Sequence, residues 1–228
     1  MKKFFYILLV AGLFFGFSSC EGDEPTTDQP QTEIPEDGGD DNGDDNGNND
    51  SENPNPVEGD VLVVYYSFTN NIHTIITDLL TQIEADVVRI EPAEKGLDYA
   101  ANNYALGSAL VAAIRENPDD ASSYPAIDPV EVKLENYSTV IVAAPLWWSN
   151  MAAPLQTFLF NHGSKMADKN IGLIVSSASS GISGVEADAK RLIPDGNFFT
   201  PSLWIRSSQT SNCHALTAEW LENIGLIK

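Results

Sequence analysis

The chain has 228 residues, of which 43% are hydrophobic and 9% aromatic, and it carries a formal net charge of −21 at pH 7. That length and hydrophobic content are enough for one domain with a full core. The acidic balance argues against the basic surface that nucleic-acid-binding proteins present, so we expect no nucleic-acid partner.

The N-terminus has the pattern of an export signal. Two lysines precede a nearly unbroken apolar stretch, from Phe4 to Phe17, that is too short to predict a membrane-spanning helix. Small residues then precede Cys20, and this resembles the lipobox at which bacterial lipoproteins are cleaved and lipidated, with Phe17 where a Leu is usual. We predict a lipoprotein signal peptide over residues 1–19 and a lipid on Cys20. The alternative is an ordinary cleaved signal that happens to contain a cysteine.

Residues 20–60 are predicted to form an acidic tether. Fifteen acidic residues and no Lys or Arg occur between Glu21 and Asp60. Such a segment cannot bury enough apolar surface to offset its ordering entropy, and its like charges extend it. We therefore predict a disordered tether over 20–60 and a single domain over 61–228. The expected location is the bacterial cell envelope, on the periplasmic or the surface side, with the lipid in the membrane.

The domain alternates strand-like and helix-like segments. The first, third and fourth strand-like segments are continuously apolar, as parallel strands covered on both faces are. Strands and helices that alternate through right-handed crossovers predict an α/β fold with a doubly wound, five-stranded parallel sheet in three α/β/α layers. The predicted strands are Val61–Tyr66, Asp86–Glu91, Thr139–Ala144, Ile171–Ser176 and about Phe198–Ile205. The predicted helices are Ile72–Glu84, Tyr99–Glu116, about Pro154–Asn161, Val185–Leu192 and about His214–Ile224.

Ligands of such a sheet bind at the carboxyl ends of the strands, so the loops that follow the strands are candidate sites. The loop after the first strand reads Ser67-Phe68-Thr69-Asn70-Asn71 and leads directly into a helix. Hydroxyl and amide side chains beside a helix N-terminus are typical of a phosphate site. No Lys or Arg occurs from Val61 to Val88. Neutral donors favour a tightly held cofactor phosphate over a nucleotide carried with Mg²⁺.

Two further loops complete the candidate site. After the third strand the chain reads Pro145-Leu146-Trp147-Trp148-Ser149-Asn150-Met151, and after the fourth it is rich in serine and glycine, from Ser176 to Gly184. Neighbouring side chains point in opposite directions, so one tryptophan can pack inward while the other stacks on a planar ligand. The alternative is that both tryptophans pack in the core or at its rim. Small residues in the third loop would let the backbone approach a ligand closely.

Together the three loops resemble those of the flavodoxin-like family, in particular flavodoxins with a Pro-[Ile/Leu]-Trp-Trp segment. The resemblance covers Val61 to about Ile224 and implies the strand order 2-1-3-4-5. The family's phosphate loop reads [Ser/Thr]-x-Thr-Gly-Asn-Thr, and Ser67, Thr69 and Asn71 match it.

Two positions depart from that pattern. Asn70 replaces the Gly, and we expect it to adopt the left-handed backbone conformation that Asn tolerates better than most residues. Ile72 replaces a Thr and leaves only its backbone N–H for a phosphate. His73 follows, and it could supply a compensating contact or be a solvated helix residue.

The resemblance implies noncovalently bound FMN. Trp148 is expected to stack on the isoalloxazine ring and Trp147 to pack inward, in a pocket expected to be acidic and aromatic. The phosphate would be held by Ser67, Thr69, Asn70, Asn71 and the amide of Ile72. The ring would be flanked by Pro145, Leu146, Trp147, Trp148, Ser149 and Asn150 on one side and by Ser177, Ala178, Ser179 and Gly181 on the other.

Three classes of function are open. The first is an FMN protein that transfers electrons or reduces a quinone-like acceptor, without a catalytic acid or base. The second is a flavodoxin-like domain that has lost FMN and serves as an extracytoplasmic binding module. The departures at Asn70 and Ile72 favour it, as does export, because a protein exported unfolded must find FMN outside the cytoplasm.

The third class, a hydrolase, has little support. The chain has no Gly-x-Ser-x-Gly motif, and each of its three histidines is better explained as structural or solvated. The two cysteines share no spacing typical of a zinc or dithiol site. With Cys20 lipidated, Cys213 would have no intramolecular partner, so we expect no disulfide.

Overall fold

The computed structural model describes residues 60–227. The predicted signal peptide, Cys20 and all of the predicted tether except Asp60 lie outside these residues. Within residues 60–227, every helix is too short or too polar to span a membrane.

Strands and helices alternate along the described chain, as the sequence predicts. The strands are β1 (Val61–Tyr65), β2 (Asp86–Arg89), β3 (Thr139–Trp147), β4 (Asn150–Met151), β5 (Asn170–Ser177), β6 (Asn197–Phe198) and β7 (Leu203–Arg206). The helices are α1 (Asn71–Leu79), α2 (Ala101–Glu116), α3 (Ala153–His162), α4 (Ser183–Leu192) and α5 (Cys213–Asn223).

The main sheet is parallel and doubly wound, which confirms the predicted fold class. Its order is β2-β1-β3-β5, and both β6 and β7 then lie along β5. The prediction of a single fifth strand is wrong, because β6 pairs with the start of β5 and β7 with its end. Pro201 lies between them and has no N–H to donate to a continuous ladder. With β6 and β7 counted as one position, the predicted order 2-1-3-4-5 is confirmed.

The helices cover both faces of the sheet, which confirms the three layers. Successive residues of β1 enter opposite cores: Leu62 and Val64 pack on the face covered by α2, α3 and α4, whereas Val63 and Tyr65 pack on the face covered by α1 and α5. This alternation is the two-residue period of a strand. Burial on both faces explains why the central strands read as unbroken apolar runs.

Two predicted boundaries are wrong. Helix α1 ends at Leu79 rather than Glu84, since the chain turns there, with the N–H of Gln82 donating to the Leu79 carbonyl at 2.9 Å. Strand β3 continues past Ala144 to Trp147 and folds back onto β4 through the antiparallel pairs Leu146–Met151 and Trp147–Asn150. The segment predicted as a loop is therefore a tight hairpin.

Candidate functional site

A cavity of about 340 Å³ opens where β1, β3 and β5 end. It lies beside the point where the strand order reverses, between β1 and β3, which is where open α/β sheets bind ligands. Its volume falls within the ~300–1,000 Å³ of small-molecule sites. The three loops singled out in the sequence meet here, and α2 forms a further wall.

The loop after β1 forms one end of the cavity. Of its predicted residues, Ser67, Thr69, Asn71 and Ile72 line the cavity and Asn70 does not. Asn70 has φ 63° and ψ −2°, which is the left-handed conformation expected of a residue that replaces Gly. It turns the chain into α1 and so aims the start of that helix at the cavity.

The N-terminus of α1 offers unused donors. The Thr74 N–H makes the first helical bond, to the Asn70 carbonyl at 2.9 Å, and the His73 N–H donates to Ser67 Oγ at 3.1 Å. The N–H groups of Asn71 and Ile72 meet no acceptor in the described part of the chain. These two donors and the helix dipole suit an anion. The Ser67 oxygen accepts from His73, so its hydroxyl proton remains free to donate.

His73 does not contribute to the cavity. Its Nδ1 lies 2.8 Å from the Tyr65 hydroxyl, and the two rings stack with centroids 6.0 Å apart. The side chain therefore packs against Tyr65 of β1 and does not line the cavity, so the compensating contact is not formed. Ile72, at 1% exposure, packs its side chain into the core beneath α1.

The hairpin between β3 and β4 turns at two residues with positive φ, Trp148 at 45° and Ser149 at 66°. Two-residue hairpin turns need such angles and usually use Asn-Gly, because each left-handed residue with a side chain costs roughly 1–2 kcal/mol. The turn separates the tryptophans. Trp147 is 8% exposed and Trp148 is 44% exposed, as expected for one inward and one free ring.

The hairpin is divided between the cavity and the adjoining helix. Pro145, Leu146, Trp147 and Trp148 line the cavity. Ser149 and Asn150 do not: the Ser149 carbonyl lies against Gly184 of α4, and Asn150 Nδ2 donates to Asp188 at 3.1 Å.

Aromatic rings form much of the cavity wall. Trp147 is surrounded by Tyr66, Phe68 and Tyr99, with ring centroids 5.0–6.0 Å away. Five of the lining residues are aromatic, and none of those that the structure describes there is charged. The expectation of an aromatic pocket is met, whereas the expectation of an acidic one is wrong.

Helix α2 supports the exposed tryptophan. Tyr104 lies beside Trp148 with ring centroids 6.5 Å apart, and a Cβ on Gly107 would lie 3.0 Å from the Trp148 ring. Gly107 therefore allows the indole to rest on the helix. Asn102, Asn103 and Tyr104 all have φ between 52° and 61°, so this first turn is left-handed rather than part of the regular helix predicted over 99–116.

Sequence reasoning missed six residues that line the cavity, two of them within the three loops and four outside them. The consecutive asparagines at 102 and 103 were a local signal for a left-handed turn, but nothing in the sequence located that turn at the cavity. The missed lining residues are Phe68, Tyr99, Tyr104, Gly107, Ser176 and Ser207.

The loop after β5 contributes Ser176, Ser177 and Ala178, whereas Ser179 and Gly181 do not line the cavity. The Ser177 hydroxyl is already used, since it accepts from Trp204 Nε1 at 2.9 Å and donates to the Ser180 carbonyl at 2.8 Å. A ligand could therefore bind the backbone of Ser177 rather than its hydroxyl.

Two buried hydroxyl groups in the cavity wall lack partners. Tyr99 Oη and Ser176 Oγ are buried and make no hydrogen bond to any described residue. Burial raises the pKa of Tyr99, so its phenol stays protonated and can donate at neutral pH. Buried polar groups without partners are uncommon and cost roughly 1–3 kcal/mol each. A polar ligand that reached these two oxygens would satisfy both.

The donor set fits FMN. One end of the cavity offers neutral donors and a helix N-terminus for a phosphate, the walls offer aromatic surface for a planar ring, and the two unpaired hydroxyls suit a ligand with many hydrogen-bonding groups. The fit is of chemistry and position, and it requires no metal.

Many solved structures share this fold, among them three flavoproteins. Two are Bacteroides proteins described as flavoproteins: one from Bacteroides eggerthii, 22% identical, TM-score 0.57, covering 74% of this chain and 98% of its own, and one from Bacteroides uniformis, 21% identical, TM-score 0.55, covering 72% and 98%. The third is a flavoprotein from Lactobacillus acidophilus in complex with FMN, 18% identical, TM-score 0.52, covering 67% and 96%.

Sequence similarity shows the family of this chain. No curated protein matches the chain. The family model described as Flavodoxin matches residues 60–224, which is nearly all of the domain that the structure describes. The chain therefore belongs to the flavodoxin family.

Proposed function

We propose that this protein binds FMN noncovalently in the cavity and acts as an electron-transfer or quinone-reductase-type flavoprotein. The observation that carries the proposal is the N-terminus of α1, whose first N–H groups meet no acceptor among the described residues, at one end of a cavity with aromatic walls. Tyr99 and Ser176, which also line this cavity, have buried hydroxyls without a partner among the described residues. The Lactobacillus acidophilus neighbour, solved in complex with FMN, supports the choice of flavin.

Each region of the cavity has a role in this proposal. The N–H groups of Asn71 and Ile72, with the hydroxyls of Ser67 and Thr69, hold the phosphate. Tyr99 donates to a polar group of the cofactor, as does Ser176 on the β5 side of the cavity. The wall formed by Pro145, Leu146 and the two tryptophans excludes water from the ring, and Trp148 stacks on it.

Bound FMN supplies the redox chemistry, in steps of one or two electrons. Electron transfer needs no catalytic acid or base from the protein, which agrees with a lining of neutral side chains. Trp148 and Tyr104 are 44% and 48% exposed at the cavity. We propose that a planar, quinone-like acceptor approaches there, since exposed aromatic rings favour stacking.

We further propose that a lipid on Cys20 and the acidic tether hold the domain at the bacterial envelope. The basic, apolar and small-residue order of the first twenty residues supports this. Labelling of the cells with a radioactive fatty acid should mark the wild-type protein, whereas Cys20→Ser should remain unlabelled. Equal labelling of both would contradict the anchor.

The FMN proposal is tested by adding FMN to the purified protein and removing unbound flavin by gel filtration. The protein should retain a visible flavin spectrum. Riboflavin, which lacks the phosphate, should bind at least about tenfold more weakly, a difference of roughly 1.4 kcal/mol. A protein that emerges colourless would contradict the proposal and favour a binding module without FMN. Equal affinity for the two flavins would contradict the phosphate role of the loop after β1.

A further inference from the structure

We propose that Asp188 of α4 is a positioning residue, which holds the Leu146–Met151 hairpin so that Trp148 lies at the cavity. Asp188 itself does not line the cavity. The effect of Asp188 on a cofactor rests on the proposed FMN function, whereas its effect on the hairpin does not.

The carboxylate of Asp188 binds the hairpin directly. Its Oδ2 accepts from the Met151 N–H at 2.8 Å and from Asn150 Nδ2 at 3.1 Å, and Asp188 is only 8% exposed. Both donors belong to β4, immediately after the turn at Trp148 and Ser149. Hydrogen bonds to an ionised, buried acceptor are among the stronger ones in proteins. Asp188 is thus bonded to the strand that ends the turn.

A second buried side chain, Gln156, holds Met151 through its backbone carbonyl. Gln156 of α3 is 1% exposed and donates from Nε2 to the Met151 carbonyl at 2.7 Å. Its Oε1 accepts from Arg191 at 3.0 Å, and Arg191 also donates to the Tyr124 hydroxyl at 3.0 Å. Both backbone groups of Met151 are therefore held by buried side chains from two helices.

Helix α4 also meets the tip of the turn. A Cβ on Gly184 would overlap the Ser149 carbonyl oxygen, so α4 and the turn are in close backbone contact. Gly184 and Asp188 are four residues apart and lie on the same face of the helix. One face of α4 thus contacts the hairpin at its tip through Gly184 and at its second strand through Asp188.

The hairpin needs this support. It has only the pairs Leu146–Met151 and Trp147–Asn150, and short two-stranded hairpins are marginally stable by themselves. Its turn holds Trp148 and Ser149 at φ 45° and 66° without a glycine. Strained backbone persists where the surroundings impose it. Asp188 and Gln156 are the buried side chains that hydrogen-bond the chain next to the turn.

The test uses Asp188→Asn in the full chain. The amide keeps the size of the side chain but loses the charge that strengthens both hydrogen bonds to the hairpin. With its oxygen toward the hairpin, its N–H donors would also face Arg191, whose Nη2 lies 3.6 Å from Asp188 Oδ1. The matched control is Glu186→Gln, which removes one charge from the same helix where the carboxylate binds Ser202 Oγ at 2.8 Å, away from the hairpin. Asn150→Ala serves as a milder variant, because it removes one hydrogen bond and leaves the Met151 bond in place.

The first readout is fluorine NMR of the flavin-free chain labelled with fluorotryptophan. The chain has four tryptophans, and Trp148→Phe assigns the signal of interest. Asp188→Asn should shift or broaden the Trp148 signal and leave the Trp220 signal of α5 unchanged, and Glu186→Gln should change neither. The second readout is the rate of FMN release, which should rise about fivefold to twentyfold in Asp188→Asn and less in Asn150→Ala.

The outcomes separate the two proposals. If Asp188→Asn changes the Trp148 signal but the wild-type protein does not bind FMN, the role of Asp188 in the hairpin is supported and the FMN function is overturned. An unchanged Trp148 signal and an unchanged FMN release rate in Asp188→Asn would overturn the role of Asp188. If Asp188→Asn does not fold, Asn150→Ala decides, and an unchanged Trp148 signal there would overturn the inference.

Discussion

The two ends of the cavity are built in different ways. At the loop after β1, the contacts that set the geometry are local: Ser67 bonds the backbone of His73 six residues on, and Asn70 supplies the left-handed turn itself. At the hairpin the contacts are remote, since Asp188 bonds Met151 across 37 residues of sequence. The locally built end, where we propose the phosphate binds, and the remotely supported aromatic end should therefore fail in different ways when they are mutated.

A large effect on both stability and binding is expected from the remote end, with Gly184→Ala. The new methyl group would overlap the Ser149 carbonyl, so α4 or the turn must move. We expect a loss of about 2–3 kcal/mol in the free energy of unfolding, as overpacked sites show, and weaker FMN binding. Denaturant unfolding and a flavin titration measure both.

Gly181→Ala is the matched control, because nothing lies within 4 Å of a Cβ at that position. It should change stability by less than about 0.5 kcal/mol. If Gly184→Ala instead stabilises the protein by ~1 kcal/mol, as an unhindered Gly→Ala change in a helix does, then the hairpin does not rest on α4.

Trp148→Ala should separate binding from stability. Trp148 is 44% exposed, so its loss should lower the free energy of unfolding by less than about 1 kcal/mol. FMN affinity should fall about tenfold to a hundredfold, or roughly 1.4–2.8 kcal/mol, if the ring stacks on the flavin. Trp147→Ala should do the reverse and mainly destabilise the fold, by about 3–5 kcal/mol. If the two variants lost the same amounts of stability and FMN affinity, this would contradict the assignment of Trp148 as a free ring and Trp147 as a packed one.

Tyr99→Phe should move stability and affinity in opposite directions. It removes a buried hydroxyl that has no partner among residues 60–227, so stability without flavin should rise by about 1 kcal/mol. FMN binding should weaken about fivefold to tenfold, because the flavin loses that donor. Thermal unfolding with and without FMN measures both changes. A loss of stability without flavin would show that the hydroxyl has another role.

The same contrast between local and remote contacts explains which features could be predicted from the sequence. The parallel sheet was predictable because Leu62, Val63 and Val64 belong to an unbroken apolar run, and Asn70 because Asn tolerates a positive φ. Gly107, Tyr104 and Asp188 were not predictable as parts of the site, since their importance comes from neighbours distant in the chain. The split fifth strand and the hairpin at Trp147 likewise depend on which residues pair across the sheet.

Ser67→Ala is expected to have a moderate effect confined to the local end. It removes the acceptor of the His73 N–H, a capping bond worth about 1 kcal/mol of stability. It also removes a proposed phosphate donor, so FMN affinity should fall about threefold to tenfold while riboflavin affinity is unchanged. Equal losses of FMN affinity and riboflavin affinity would show that Ser67 does not act through the phosphate.

The smallest effect is expected from Asn70→Gly. Gly adopts the observed φ of 63° more readily than Asn, so stability should rise by about 0.5 kcal/mol or less. Asn70→Ala, the opposing change, should cost about 1 kcal/mol. Thermal unfolding of the Asn70→Gly and Asn70→Ala variants measures this difference. Equal melting temperatures of the two variants would contradict a strained turn at this position.

A fluorescence titration of FMN with the purified full-length protein tests whether the two ends form one flavin site. Stacking on Trp148 should quench the flavin emission until one FMN is bound per chain, with a dissociation constant of about 1 μM or tighter, equivalent to roughly −8 kcal/mol. The emission of riboflavin should be quenched only at higher protein concentrations. Flavin emission that stays constant as protein is added would contradict an FMN site in this cavity.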